Sequence, residues 1–307
     1  MNTESLDPRY VDLDRWPTHV AVEAMLEGQM AAIAALQSQT SAIAAAAEAA
    51  AARLGNAGRL GDAGRLIFVG AGTSGRLGVQ DGTELFPTFG WPLERMHFLL
   101  AGGLDALTEA QEGAEDDADA ACAEIAAVAL GEADVVIGVA ASGRTPYTLA
   151  AIEEARTQGA LTIAIVNNAD SPLAAAAAHA VVAVTGSEVL AGSTRMKAGT
   201  AQKAALNLLS TAIMLRLGRV FDGRMVAMRV SNAKLLRRGR RMVQDLAGVS
   251  ADVAAEALDQ AGRDIRLGVI VATGTPVAEA RRLLDLHGGD LRRVLAGRMP
   301  TTGDAER

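Results

Sequence analysis

The spacing of apolar positions changes character along the chain. Between residues 20 and 54, Val22, Met25, Leu26, Met30 and Ile33 recur three or four apart with alanine between them, which predicts long helices. The glycine-containing stretch Gly55 to Gly64 ends that pattern. Leu66-Ile67-Phe68-Val69 is then continuously apolar, as a parallel strand covered on both faces must be, and it leads straight into Gly70-Ala71-Gly72-Thr73-Ser74-Gly75-Arg76. The same grammar returns where Val135 to Ala140 runs into Ala141-Ser142-Gly143-Arg144-Thr145-Pro146, a partial internal repeat of strand, Ser-Gly-Arg and helix. Apolar runs at His97 to Leu100, Leu161 to Val166 and Val181 to Val184 alternate with helical segments. This alternation predicts an α/β fold, a parallel sheet of about five strands flanked by helices, with strand-end loops gathered on one edge.

Beyond the sheet, Thr200 to Leu217 reads as a long helix and is followed by the arginine-rich stretch Lys234 to Arg241. From about residue 245 to 297 the pattern suggests three short helices: Ser250 as an N-cap, Thr275-Pro276 opening the second, and Gly288-Gly289 breaking before the third. The expected organisation is a helical segment over 1–54, an α/β domain over 55–244 and a small helical domain over 245–307.

Composition narrows the function classes. The 307 residues are 50% hydrophobic but 3% aromatic, a globular balance in which small side chains let helices pack closely. A net charge of −7 lacks the basic excess that nucleic-acid binders use to displace counterions, so no nucleic-acid partner is expected. The basic stretch Lys234 to Arg241 has no interleaved aromatics and reads as a solvated helix face. Cys122 stands alone in an alanine-rich stretch, which excludes an internal disulfide and a thiolate metal cluster and suits a small core residue. The N-terminus has no signal-peptide pattern, and the apolar runs are interrupted before the roughly 18 residues of a membrane span. A cytoplasmic protein with no membrane partner is expected.

Any anionic ligand must then be caught locally. A strand that ends in glycine-rich sequence and opens a helix offers unpaired backbone N–H groups and the positive end of the helix dipole, with Ser and Thr hydroxyls as added donors. Here this occurs at Thr73, Ser74 and Gly75 and again at Ser142, Gly143 and Thr145. Neither copy ends in the Gly-Lys-Ser/Thr of a nucleoside triphosphate loop. Gly70, Gly72 and Gly75 formally match a dinucleotide fingerprint, but Asp81 lies too near and no acidic residue ends a well-placed second strand. His19, His97, His179 and His287 are scattered, so no metal site is expected, and no Ser-His-Asp arrangement can be assembled. The remaining titratable candidates are carboxylates: Glu84, and the cluster Glu109, Glu112, Glu115, Asp116 and Asp117.

The segments GAGTSGRLG (70–78), ELFPTFG (84–90), AGG (101–103), EGAED (112–116), ASGRTPY (141–147) and GSTRMKAGTAQKAALNLLSTA (192–212) resemble those of the N-acetylmuramic acid 6-phosphate etherases. The resemblance runs from about residue 60 to 300. It implies a sugar isomerase (SIS) domain, a C-terminal helical unit similar to ubiquitin-associated domains, and a homodimer with sites near the subunit interface. It implies no cofactor, a sugar-phosphate substrate, and catalytic glutamates at Glu84 and Glu115. The chain departs from the family pattern around the first of these, where Thr83-Glu84-Leu85-Phe86-Pro87 replaces Ser-Glu-Cys-Pro-Pro.

The implied reaction cleaves the ether between C3 of the sugar and D-lactate. An ether leaves poorly, and C2–H is acidic only beside an aldehyde, so elimination from the ring-opened sugar followed by water addition is the chemically sensible route. Glu84 would protonate the departing oxygen; Glu115 would remove the C2 proton. The acid must be kept protonated by burial or a neighbouring carboxylate while the base stays ionised. The phosphate would sit on Ser74, Ser142, Gly143 and Thr145, with Thr73, Gly75, Ser193 and Lys197 as further binding candidates. By analogy with the isomerase domain of glucosamine-6-phosphate synthase, Glu188 would assist ring opening; the competing expectation is an ion pair with Arg195 or Lys197. A non-catalytic SIS-domain regulator and an aldose–ketose isomerase remain the alternatives, and a lactate-release assay separates all three.

Overall fold

A computed structural model describes residues 3–55, 64–109 and 111–297. Most of the Gly55 to Gly64 stretch and the last ten residues of the expected C-terminal domain therefore lie outside the described residues. The chain forms two compact units, Met1–Thr83 with Glu94–Ile213, and Glu84–Leu93 with Met214–Arg307.

The first unit opens with helices α1 (Thr18–Ala34) and α2 (Thr40–Gly55), separated by a 3-10 segment at Ala35–Gln39. Strands β1 (Leu66–Gly70), β2 (Met96–Leu100), β3 (Val135–Ala140), β4 (Leu161–Val166) and β5 (His179–Val182) form one parallel sheet in the order β2-β1-β3-β4-β5. Helix α3 (Gly72–Thr83) follows β1, α5 (Ala118–Val128) precedes β3, α6 (Pro146–Thr157) follows β3, α7 (Pro172–Ala176) lies between β4 and β5, and α8 (Lys197–Arg216) closes the unit; α4 (Leu85–Phe89) belongs to the second.

Side chains alternate between the two faces of the sheet, and both faces are covered. Ile67, Val69, Val136, Ala140, Ala164 and Val166 pack with Ala121 and Ile125 of α5, Ala151, Ile152 and Ala155 of α6 and Leu173 of α7. The opposite face carries Phe68, whose ring stacks on Phe98 at 5.8 Å and contacts α3 at Gly78 and Gly82. On α2, Ile43, Ala46, Ala47, Ala50 and Leu54 are buried three or four apart, and the helix packs on β3, β4 and β5. Strand β5 begins and ends two residues earlier than the apolar run Val181 to Val184 suggests, because its ladder with β4 starts at the Ile163–His179 pair.

Thr18–Gly55 is long and apolar enough to cross a membrane by length and composition, at a mean hydropathy of 1.2, which corrects the expectation that no segment would be. The charge-free passage from Gly28 to Ala47 is responsible. The buried inward face of α2 gives that apolarity a core to fill.

The β1 and β3 entries are tied together by Asp134. Its carboxylate accepts from Arg65 N–H at 2.7 Å, Gly131 N–H at 2.9 Å and the Arg65 guanidinium at 2.6 Å. Burial pushes the Asp134 carboxyl up, but the Arg65 side chain and the two backbone donors outweigh it and hold the group below its usual value. A depressed carboxylate stabilises the fold above its unfolded pKa of about 3.9, and that contribution is lost as pH falls through the lower folded value. Asp134→Asn is therefore expected to cost about 1 to 3 kcal/mol at pH 7 by removing the charged partner of Arg65, which keeps its bonds to Val128 O and Ala129 O, and to cost less in acid below pH ~4. Urea unfolding at the two pH values measures this.

In the second unit α9 (Ala233–Ala247), α10 (Ala251–Gln260), α11 (Ile265–Ala272), α12 (Val277–Leu286) and α13 (Leu291–Ala296) enclose a core of Val243, Leu258, Ile265, Val269, Ile270, Leu284 and Leu291. Ser250 caps α10 as expected, accepting from Val253 N–H. Among the described residues four helices, not three, follow residue 250. Helix α11 escapes the sequence pattern because its start is marked by one glycine only; Gly262 and Arg263 both turn at positive φ and Asp264 then caps Arg266 and Leu267.

Candidate functional site

Strands β1 and β3 are neighbours in parallel register, with Gly70 opposite Val139, so the two Ser-Gly-Arg loops leave the sheet side by side. The Gly70 and Gly75 backbones touch: a Cβ on Gly70 would lie 2.8 Å from Gly75 N, and one on Gly75 would lie 2.6 Å from Gly70 O. Close helix–strand approach accounts for that glycine pair without a dinucleotide. At the second loop Gly143 turns at φ +65°, and a Cβ there would meet Ser171 at 2.3 Å.

These loops frame a cavity of about 370 Å³. Its floor holds Gly72, Thr73 and Ser74 at the start of α3 and Ser142, Thr145 and Pro146 at the start of α6. Thr145 makes no side-chain cap to α6, so the first-turn N–H groups of that helix remain to face an anion. Ser142 Oγ accepts from Arg144 N–H at 3.2 Å. Ser74 Oγ donates to Gln202 Oε1 at 3.0 Å, Gln202 donates to Asn167, and Asn167 donates to Ala183 O. A hydroxyl has one proton to give, so Ser74 is committed to that buried chain, and donation at its loop falls to Thr73 and the backbone.

Glu115 and Asp116 line the same cavity from a 3-10 turn, Ala114–Asp116. Two local features place that turn. Asp117 caps α5 by accepting from Ala120 N–H at 2.9 Å, which stops the helix short of Glu115. Behind it, Gly102 of the AGG segment sits against Gln111 and Ala114, where a side chain would collide at 2.6 Å. Thr194, Arg144 and Glu4 complete the wall. Two helix starts, hydroxyls and one arginine therefore face three carboxylates, a set that can hold an anion at one end and move protons at the other.

Other expected site residues lie elsewhere. Glu84 is exposed at the N-cap of α4 in the second unit, so the chain alone does not bury it. The departure beside it is absorbed locally: Leu85 is buried, and the Arg229 guanidinium lies 5.3 Å from the Phe86 ring centre. Gly75, Gly143 and Ser193 do not line the cavity; the two glycines act through packing, and Thr194 takes the place expected of Ser193. Glu188 is fully buried, and its two oxygens accept from Lys197 N–H and Ala198 N–H, each at 2.9 Å, at the start of α8. Lys197 is also buried; its Nζ donates to Ser187 O at 2.6 Å, and burial pulls its pKa down against the opposing pull of Glu188. Sequence reasoning missed Glu4, Arg144 and Thr194 as lining residues. Arg144 and Thr194 carried a signal, inside ASGRTPY and GSTRMKAGTAQ; Glu4 carried none.

A further cavity, of about 740 Å³, is walled by Ile33, Leu36, Leu77 and Leu208 with Arg195 and Lys203. It is roomier but lacks the second loop and both catalytic candidates.

A parallel five-stranded sheet with paired anion-catching loops at adjacent strand ends defines a sugar-phosphate-binding protein of the SIS class. The profile of the glucokinase regulatory protein N-terminal SIS domain matches residues 47–156, and that of the SIS domain matches 119–212. A candidate phosphosugar isomerase involved in capsule formation, from Bacteroides fragilis, shares the fold at a TM-score of 0.50 and 21% identity, over 67% of this chain and 95% of its own. Among curated relatives, the N-acetylmuramic acid 6-phosphate etherase of Deinococcus radiodurans is 46% identical over 95% of this chain and 94% of its own. That of Streptomyces coelicolor is 43% identical over 96% and 94%. That of Symbiobacterium thermophilum is 53% identical over 67% and 68%. The chain belongs to the N-acetylmuramic acid 6-phosphate etherase family.

Proposed function

We propose that this chain cleaves the D-lactyl ether of N-acetylmuramic acid 6-phosphate, giving N-acetylglucosamine 6-phosphate and D-lactate in cell-wall amino-sugar recycling. The observation that carries the reading is the joining of both phosphate-type loops with Glu115 in one cavity, in a member of this family. The phosphate rests on the α3 and α6 starts with Thr73, Ser142 and Thr145, each helix end contributing roughly 0.3 to 1 kcal/mol and up to about 2 when partly buried. Anchored there, the open-chain sugar presents C2 to Glu115. Glu115 takes the C2 proton, the C3–O bond breaks as Glu84 protonates the departing lactate, and water then adds at C3 of the unsaturated aldehyde. No cofactor or metal enters these steps.

The active form is a homodimer. The stripe Val22, Leu26, Met30 and Ile33 on α1, between 46% and 66% exposed, supports this because an apolar face of that kind is ordinarily covered. Covering by a second subunit and by substrate buries Glu84, the proton donor in this scheme. The substrate is an intracellular metabolite in this scheme, which places the protein in the cytoplasm. The helices over residues 245–307 act as a small domain of the ubiquitin-associated kind.

Lactate release from N-acetylmuramic acid 6-phosphate tests the activity; absence of lactate, with conversion of an aldose phosphate to a ketose phosphate instead, defeats it. Ser142→Ala is expected to raise KM for the phosphorylated substrate about tenfold, since the lost contact is charge-assisted, while leaving affinity for an unphosphorylated sugar unchanged. Equal losses for both remove Ser142 from the phosphate site.

A further inference from the structure

Glu4 lines the sugar-phosphate cavity, although the scheme above asks for no third carboxylate there. A second polar cavity, of about 460 Å³, shares Glu4, Ser142 and Arg144 with the first and continues over Thr3, Asn168 and Asp170. Glu4 stands where the two meet.

Its position is fixed from both sides. The preceding residue, Thr3, is fully buried; its N–H donates to Asn168 Oδ1 at 3.2 Å, its Oγ1 accepts from Asn168 Nδ2 at 3.1 Å, and its carbonyl accepts from Gly192 N–H at 3.2 Å. Asn168 also donates to Ala141 O at 2.9 Å, immediately before Ser142. On the other side Asp7 is buried and paired with Arg9 at 2.8 Å. Thr3 is thus held to Asn168, which reaches the second loop at Ala141, and to the Gly192 segment. The Glu4 carboxylate itself lies over Gly192, with Oε2 3.1 Å from where a Cβ would stand, so that glycine leaves room for it.

A carboxylate accepts hydrogen bonds and repels phosphate, so its counterpart on a ligand is a neutral donor. We propose that Glu4 is a specificity-determining residue that accepts hydrogen bonds from hydroxyl or acetamido N–H groups of the sugar. This rests on the reading of the cavity as a sugar-phosphate site.

Calorimetric titration with N-acetylglucosamine 6-phosphate and, separately, with inorganic phosphate tests it. Glu4→Ala is expected to weaken binding of the sugar phosphate about tenfold or more, because a hydrogen bond to a charged acceptor is lost, while phosphate alone binds as well or more tightly. Glu4→Gln, which keeps one acceptor, should fall between. In turnover the change should enter KM and leave kcat within about threefold. Equal weakening of both ligands, or none for the sugar phosphate, overturns the proposal. Wild-type protein that binds phosphate but not the sugar phosphate overturns instead the reading of the cavity, and Glu4 with it.

Discussion

Glu115→Gln should lower D-lactate release by roughly 10²- to 10⁴-fold and abolish exchange of the substrate C2 proton with solvent deuterium. An amide cannot accept the C2 proton, whereas the side chain is exposed on a short 3-10 turn, so removing its charge costs the fold almost nothing. Glu84→Gln should depress lactate release to a similar extent yet retain C2 exchange, because it removes the proton donor and leaves the base in place. Proton NMR in deuterated buffer separates the two steps. Release within tenfold of wild type in either variant, at an unchanged melting temperature, would remove that glutamate from the catalytic pair.

Glu188→Gln carries the largest stability effect expected at the site. The buried carboxylate satisfies two backbone N–H groups at the first turn of α8, and an amide can offer an acceptor to only one of them. Its NH₂ then faces a donor, and Lys197 loses the neighbouring charge that opposes its burial. A loss of about 2 to 4 kcal/mol should follow, visible as earlier melting of the first unit, with turnover per folded molecule preserved on cyclic and acyclic substrates alike. Should turnover fall on the cyclic substrate while an acyclic analogue reacts normally at unchanged stability, Glu188 acts in ring opening and its role as a cap is secondary.

The two glutamate tests also mark how far the sequence carries. Period alone was enough for the sheet: continuous apolar runs at Leu66 to Val69, Val135 to Ala140 and Leu161 to Val166 became fully buried parallel strands. Burial on both faces leaves such segments no polar alternative. The two glycine-rich loops were equally legible, since strand-to-helix turns need the same residue types wherever they occur. Single side chains were less so. Ser74 reads as a phosphate donor until Gln202, 128 residues away, accepts its one hydrogen bond. Glu188 reads as a partner for a lysine side chain, but its oxygens go to backbone N–H groups.

What the sequence determined by itself was therefore local: element type, the anion-catching turns, and a family likeness concentrated in short motifs. Which groups share a cavity was decided only by tertiary structure. Thr3 and Asn168 lie 165 residues apart, and no local spacing encodes that contact. The tether that brings Glu4 to Ser142 needs β3, β4 and the Gly192 segment in place, because its hydrogen bonds end on Asn168, Ala141 and Gly192.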